Sequence, residues 1–153
     1  MSRRDQIKMS EAEVAAFLEE QKTMSVATLG KDGRPHVVAM WYAVMDGVPC
    51  FWTYEKSQKV VNLRRDPRVT CLIEDGDVYS KLRGVELVAD AELIDDYEQV
   101  VEFGLVQSER YNGVRPQGPA EEAVRKAAAK RVVVRIVPQR VVSWDHRKLG
   151  GAY

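Results

Sequence analysis

The chain has 153 residues, enough for one domain with a sizeable core, and its 23 Lys plus Arg balance its 23 Asp plus Glu. That balance lacks the basic excess of a nucleic-acid binder. Cys50 and Cys71 stand in separate apolar runs without a CxxC spacing and read as buried, reduced thiols rather than a metal or redox pair. The opening MSRRDQIKMSEAEV has no apolar core of a secretory signal, and no stretch approaches the roughly 18 apolar residues of a membrane span. The expectation is a cytoplasmic protein with no membrane span.

In chain order, Ser10 can cap a helix over about 10–21, with Glu13 three residues on and Val14, Phe17 and Leu18 as its apolar stripe. MSVATLG (24–30) reads as a strand ending at the Lys31-Asp32-Gly33-Arg34-Pro35 turn. HVVAMWYAVM (36–45) reads as one longer strand, closed by Asp46-Gly47, with VPCFWTY as its antiparallel partner. A short helix over about 57–65, stopped by Asp66-Pro67, is followed by the strand RVTCLIE. In VELVADAELI, Val85, Leu87, Ala89, Ala91 and Leu93 alternate with Glu86, Val88, Asp90, Glu92 and Ile94, the pattern of a strand with one face to the core. YEQVVEFGLVQSERY is amphipathic, GVRPQG is a loop, and PAEEAVRKAAAKR starts a helix with proline and acids. VVVRIVPQRVVSW is a long last strand, bent at Pro138. About six strands with helices inserted between them do not alternate as βαβα. They fit an antiparallel sheet that hides its edges by curling into a small barrel, mostly β with peripheral helices.

The motifs of several chemistries are missing. His36 and His146 are the two histidines, and there is no HExxH, GxSxG, GxGxxG or GxxxxGK[ST]. Glu74-Asp75 and Asp95-Asp96 flank turns and read as solvated turn carboxylates. What remains is FWTYEKSQKVVNLRRDP (51–67), where an aromatic strand gives way to a helix at Ser57. A helix start carries unpaired N–H groups and partial positive charge, so a phosphate there could take those groups, the Ser57 hydroxyl and the Lys59 ammonium together. The alternative is a plain capped turn with solvated charges.

TLGKDGRPHVVAMWYAVMDG, FWTYEKSQKVVNLRRDPRVTCLIEDG and LRGVELVADAELIDD resemble the pyridoxamine-phosphate-oxidase-like split β-barrel flavoproteins. Within them the likeness is nearest to the deazaflavin-dependent oxidoreductases of the B group, some of which use coenzyme F420 and some of which reduce biliverdin. It runs from about Met24 to Trp144, and S-x-K-x-x-N-L-R-R-D-P (57–67) is its most specific part. SWDHRKLGG near the C-terminus shares it.

The resemblance implies a single split β-barrel domain over 1–153, forming a homodimer with cofactor sites in clefts between the subunits. It implies that Lys59, Thr53 and Ser57 hold the cofactor phosphate. The strand from His36 through Val38 and Met40 to Trp41 would run beside the tricyclic ring. Arg34 and Arg65 would meet the phosphate or an anionic tail, and Tyr79 and Trp144 would reach the site, from the other subunit if not from their own. Flavin mononucleotide (FMN) enzymes of the wider family carry an extra basic residue in the preceding strand. This chain has no Arg or Lys between Arg34 and Lys56, which favours coenzyme F420 over FMN. The implied activity is hydride transfer between F420 and a conjugated small-molecule acceptor such as a tetrapyrrole, enone or quinone. The proton source is left open among solvent, Lys59, Tyr79 and Arg83. The alternatives are an FMN flavoprotein and a non-catalytic binder of a flavin or haem-like ligand.

Overall fold

The structure, a computed structural model, describes residues 2–151. In chain order its elements are α1 (Arg3–Ile7), α2 (Glu11–Glu20), β1 (Thr23–Leu29), β2 (Pro35–Trp41), β3 (Ala43–Met45), β4 (Val48–Tyr54), α3 (Gln58–Arg65), β5 (Arg68–Asp75), β6 (Arg83–Ile94), α4 (Tyr97–Asn112), α5 (Pro119–Ala128) and β7 (Arg131–Asp145). Short 3₁₀ turns cover Tyr79–Lys81 and His146–Leu149. Ser10 and Glu13 form a reciprocal capping box at the start of α2, and Asp96 caps α4 through the Gln99 N–H.

The strands form one antiparallel sheet in the order β2-β1-β5-β6-β7-β4-β3. Its two edge strands, β2 and β3, are separated in the chain only by Tyr42. The sheet must therefore curl until its edges meet, which makes it a split barrel and leaves few open strand edges.

There are seven strands among the described residues rather than about six, because the run 36–45 breaks at Tyr42. Only Ala43–Met45 pairs with β4, while Pro35–Trp41 pairs with β1 on the other edge. Tyr42 makes the corner. Its side chain is fully buried, with the phenol donating to Leu18 O at 2.6 Å. Its backbone N–H and C=O both meet the Tyr111 hydroxyl at 3.0 Å, so α4 satisfies the groups that leave the ladder. The β3–β4 hairpin closes at Asp46-Gly47 with φ of 51° and 78°, both left-handed, as a two-residue turn joining right-twisted strands requires. At Pro138, which has no N–H to give, the β6–β7 register slips by one residue between Val88 and Ala89.

The inward row Met24, Val26, Cys71, Ile73, Val85 and Leu87 fills the barrel with Tyr42, Phe51, Val134 and Ile136. A second cluster seats α4 against the outside of β3, β4 and β7 through Val100, Val101, Phe103, Ala43, Cys50 and Val133. Burial pushes the Cys50 thiol up to about 11 and the Cys71 thiol up to about 12, so neither thiolate forms readily near neutral pH. Arg83 ties three elements together. Its guanidinium bonds Glu20 of α2 at 2.7 and 3.0 Å and Asp75 of β5 at 2.5 Å, and it lies over the Phe17 ring.

Candidate functional site

The strand-to-helix junction that follows β4 brings together Thr53, Ser57 and Lys59. Thr53 is the last inward-facing residue of β4 and is buried, while Ser57 and Lys59 are half-buried. Lys59 Nζ donates to Thr53 Oγ1 at 3.0 Å, and the Thr53 hydroxyl lies 3.4 Å from Ser57 Oγ. Ser57 occupies the N-cap position of α3, but its side chain makes no cap hydrogen bond. The first-turn N–H groups of an eight-residue helix thus keep their partial positive charge without a side-chain acceptor. Among the described residues no carboxylate pairs with Lys59, and burial pulls its ammonium below the usual lysine range. A half-buried ammonium, two hydroxyls and an uncapped helix start form a cradle for an anionic oxygen. A plain capped turn would have used the Ser57 hydroxyl on the helix.

One face of α3 then plugs the gap in the barrel. Asn62, fully buried, donates from Nδ2 to Thr28 Oγ1 at 3.0 Å, while its Oδ1 accepts from Gln58 Nε2 at 2.8 Å. Arg65 donates to the same Oδ1 at 3.3 Å and to Leu29 O. Both bonds use Nη2, which fastens α3 onto the end of β1, while the residue stays exposed. Asn62 and Gln58 were not singled out from sequence; the signal was present as the N of the S-x-K-x-x-N run.

Between α3 and the β1–β2 turn lies an open cleft of about 610 Å³, lined by Gly30, Lys31, Asp32, Arg34, Pro35, His36, Gln58 and Asn62. The turn that forms its wall is held by Gly30 N–H to Arg34 O at 2.8 Å and Arg34 N–H to Asp32 Oδ1 at 3.2 Å. Arg34 itself is almost fully exposed, 3.7 Å from Asp32. On β2, His36, Val38 and Met40 point inward and are half-buried, opposite Thr28, Val26 and Met24. Trp41 points outward, 57% exposed, and stacks on Tyr111 with ring centroids 4.2 Å apart.

Tyr79 and Trp144 stand elsewhere. Trp144 pairs with Gly84 at one end of β6, whereas Thr53 pairs with Val132, next to the residue opposite Ile94 at the other end. At roughly 3.3 Å per residue, that separates them by up to about 33 Å in one chain. The Trp144 ring lies so close over Gly84 that a Cβ there would come within 2.1 Å of it. Tyr79 meets His146 edge to face beside this end. Arg83, one of the proton sources left open, is held by two carboxylates and has no proton to spare. Of the other aromatics, Tyr42 is core, and Trp52 packs beneath Gly104 of α4.

The profile of the family described as Pyridoxamine 5'-phosphate oxidase matches residues 10–145. No curated protein sequence matches the chain. Among solved structures, a conserved hypothetical protein of Mycobacterium tuberculosis is 48% identical, with a TM-score of 0.92 over 100% of this chain and 95% of that one. A protein described as an F420 reductase is 28% identical, with a TM-score of 0.62 over 82% of this chain and 93% of that one. The haem storage protein HutZ of Vibrio cholerae, at 19% identity and a TM-score of 0.67 over 87% and 94% of the two chains, shares the fold.

Proposed function

The chain belongs to the pyridoxamine 5'-phosphate oxidase family, and from that premise we propose that it is a cytoplasmic oxidoreductase moving a hydride between coenzyme F420 and a conjugated small-molecule acceptor. The observation that carries this reading is Lys59, a half-buried ammonium whose partner is a hydroxyl and not a carboxylate, beside an uncapped helix start. Buried charges are ordinarily paired, so this cradle suits a phosphate supplied by a ligand. The likeness to an F420 reductase supports the deazaflavin, as does the lack of a basic residue between Arg34 and Lys56.

When bound, the deazaflavin supplies a hydride at its C5 and needs neither a metal nor a protein nucleophile. The work left to the protein is positioning and exclusion of water. Lys59, Thr53 and Ser57 hold the phosphate. The inward row His36, Val38 and Met40 offers a mostly apolar wall, and Arg34 stands at the mouth for an anionic tail. Arg65 fixes α3 against Leu29 through Nη2, and the rest of its exposed guanidinium stands available for the phosphate or the anionic tail.

The reading includes a homodimer. α2 and α3 join the barrel interior through Phe17, Leu18 and Leu63, while α4 and α5 pack against β3, β4 and β7 from outside. The outer face that carries Val37, Trp41, Ala27, Leu72 and Val88 keeps Val37 60% and Trp41 57% exposed in one copy. A second barrel packed there about a twofold axis would cover this face, and Tyr79 and Trp144 are assigned to the partner's cofactor site because they stand far from the cradle of their own chain. Light scattering at micromolar concentration is expected to give twice the 17.3 kDa chain mass; a monomer with cofactor bound overturns this part.

The activity is tested by mixing the purified protein with reduced deazaflavin and a panel of tetrapyrroles, enones and quinones while following cofactor absorbance. Reoxidation with at least one acceptor is expected. Measurable binding with no reoxidation leaves the non-catalytic binder, and a yellow preparation that releases FMN on heating replaces the cofactor.

A further inference from the structure

His36 is the one imidazole beside the candidate site, and its surroundings are asymmetric. It sits inward on β2, directly opposite Thr28, and its side chain lines the cleft between the 30–34 turn and α3. Its Nδ1 is sealed from solvent and has no hydrogen-bond partner. The neighbouring polar groups are already engaged with one another. Gln58 Nε2 donates to Asn62 Oδ1, and Asn62 Nδ2 donates to Thr28 Oγ1, so that chain of bonds ends one side chain short of the ring.

A sealed nitrogen without a partner is costlier as a donor than as an acceptor, since orphaned buried N–H groups are the rarer kind. The ring hydrogen therefore belongs on Nε2, and Nδ1 is left as a bare lone pair. Among the described residues Nε2 has no hydrogen-bond partner either, and it is not sealed as Nδ1 is, so on a side chain that lines the cleft its N–H is left for a ligand. The cleft's charge decides what it meets. Lys31 and Arg34 line it against Asp32 alone, and Lys59 follows directly after Gln58 on the first turn of α3. The balance favours an anionic oxygen over a cation or amine.

We propose that His36 is a side-chain ligand of the bound molecule, donating from Nε2 to an anionic oxygen, phosphate or carboxylate, seated between the 30–34 turn and α3. The identity of that molecule rests on the cofactor reading above, whereas the tautomer does not. In sequence, the resemblance sets His36 beside the tricyclic ring but assigns its imidazole no anionic partner, because a lone histidine in a strand is compatible with either face. Only the Thr28 register and the packing of α3 seal one of its nitrogens.

The experiment has two arms. In the ligand-free protein labelled with ¹⁵N, long-range ring correlations read the tautomer directly. A hydrogen on Nε2 is expected, and one on Nδ1 overturns the inference. In the second arm, binding of coenzyme F420, FMN and the phosphate-free deazaflavin riboside is titrated by fluorescence against wild type, His36→Phe and His36→Gln, with melting curves as folding controls. The phenylalanine variant is expected to bind weaker by about ten- to a hundred-fold where the ligand carries the recognised anion. Glutamine, whose amide nitrogen falls near the place of Nε2, is expected to restore most of that loss.

Weakening for F420 and FMN together identifies the phosphate as the acceptor, and weakening for F420 alone identifies the carboxylates of its tail. Equal affinities throughout, or an equal loss for the riboside, overturn the inference. A wild-type protein that binds none of the three overturns the cofactor reading instead. Inorganic phosphate then serves as the probe, and a His36 Nε2 signal that it leaves unmoved overturns this inference as well.

Discussion

Two basic side chains of this barrel, Arg83 and Lys59, are both drawn out of water, and they are treated in opposite ways. Arg83 is 10% exposed and meets Glu20 and Asp75 together, at the junction of α2, β5 and β6. Lys59 is half-buried at the start of α3 and, among the described residues, meets only the Thr53 hydroxyl, and burial disfavours its charged form. A guanidinium with two carboxylates is satisfied by the protein alone and acts as a three-way fastener. An ammonium with a hydroxyl is not, and that incomplete pairing is what the proposed phosphate contact would complete. The lesson concerns how a site is told from a joint. Charge density does not separate the two regions; completeness of pairing does.

Replacing Arg83 with methionine probes the joint and carries the largest expected effect. It keeps much of the packing over Phe17 but strands two carboxylates. Breaking a buried pair costs about 3–5 kcal/mol, and the half-exposed partners bring the expectation to roughly 2–3 kcal/mol. For a chain of this size that lowers Tm by roughly 4–12 °C, read by calorimetry, with cofactor affinity unchanged once the protein is folded. A variant that melts like wild type would mean that Arg83 is no more structural than any surface arginine.

Lys59→Ala probes the other side of the contrast. Stability is expected to move by less than about 0.5 kcal/mol, because no carboxylate is left unpaired. Affinity for a phosphate-bearing cofactor is expected to fall by about ten- to a hundred-fold, the loss of a charge-assisted hydrogen bond worth roughly 1.5–3 kcal/mol. Fluorescence titration with a parallel melting curve separates the two quantities. Equal affinities and equal melting points would make the corner a plain turn.

Salt sharpens the comparison more gently. The screening length shrinks from about 10 Å at 0.1 M to about 3 Å at 1 M, so cofactor Kd is expected to rise with ionic strength through Lys59 and the exposed Arg34. The melting point, resting on the better-shielded Arg83, is expected to respond less.

Acid gives the smallest effect. The Arg83 bond holds the Glu20 carboxyl below its usual range, Lys148 does the same for Glu13, and Arg68 pulls Asp66 down to about 2. Groups with depressed folded values stabilise above the ordinary carboxylate range and lose that contribution as pH falls through the folded values. Tm is therefore expected to decline below about pH 4 and on towards pH 2. These carboxylates are exposed, so the decline is shallow, and Arg83→Met is expected to flatten it. A Tm unchanged between pH 6 and 2 contradicts the assignment.

Much of the architecture was legible because its signals are local. The Ser10–Glu13 capping box, the alternation in 85–94, the Asp46-Gly47 hairpin and the bend at Pro138 each depend on residues a few positions apart. So did the gathering of Thr53, Ser57 and Lys59, because a strand end and the helix start four residues later are neighbours by chain connectivity alone. The corner at Tyr42 was not legible. A β-period run through residues 36–45 stays in phase whether or not the strand turns, and what turns it is Tyr111, 69 residues away.

The same limit governs the side chains. By itself the sequence determined which segments are strands and helices, where the short turns fall, and that a cationic helix start follows an aromatic strand, since all of these follow from period, propensity and adjacency. The tertiary structure decided the rest. It showed that Arg83 is held by two carboxylates, that Arg65 Nη2 ties α3 to β1, and that among the described residues no carboxylate pairs with Lys59. It also sealed one face of the His36 ring and set Tyr79 and Trp144 at the far end of β6. Pairing, burial and distance are properties of atoms brought together from far along the chain, and a buried charge is made structural or functional by what stands opposite it.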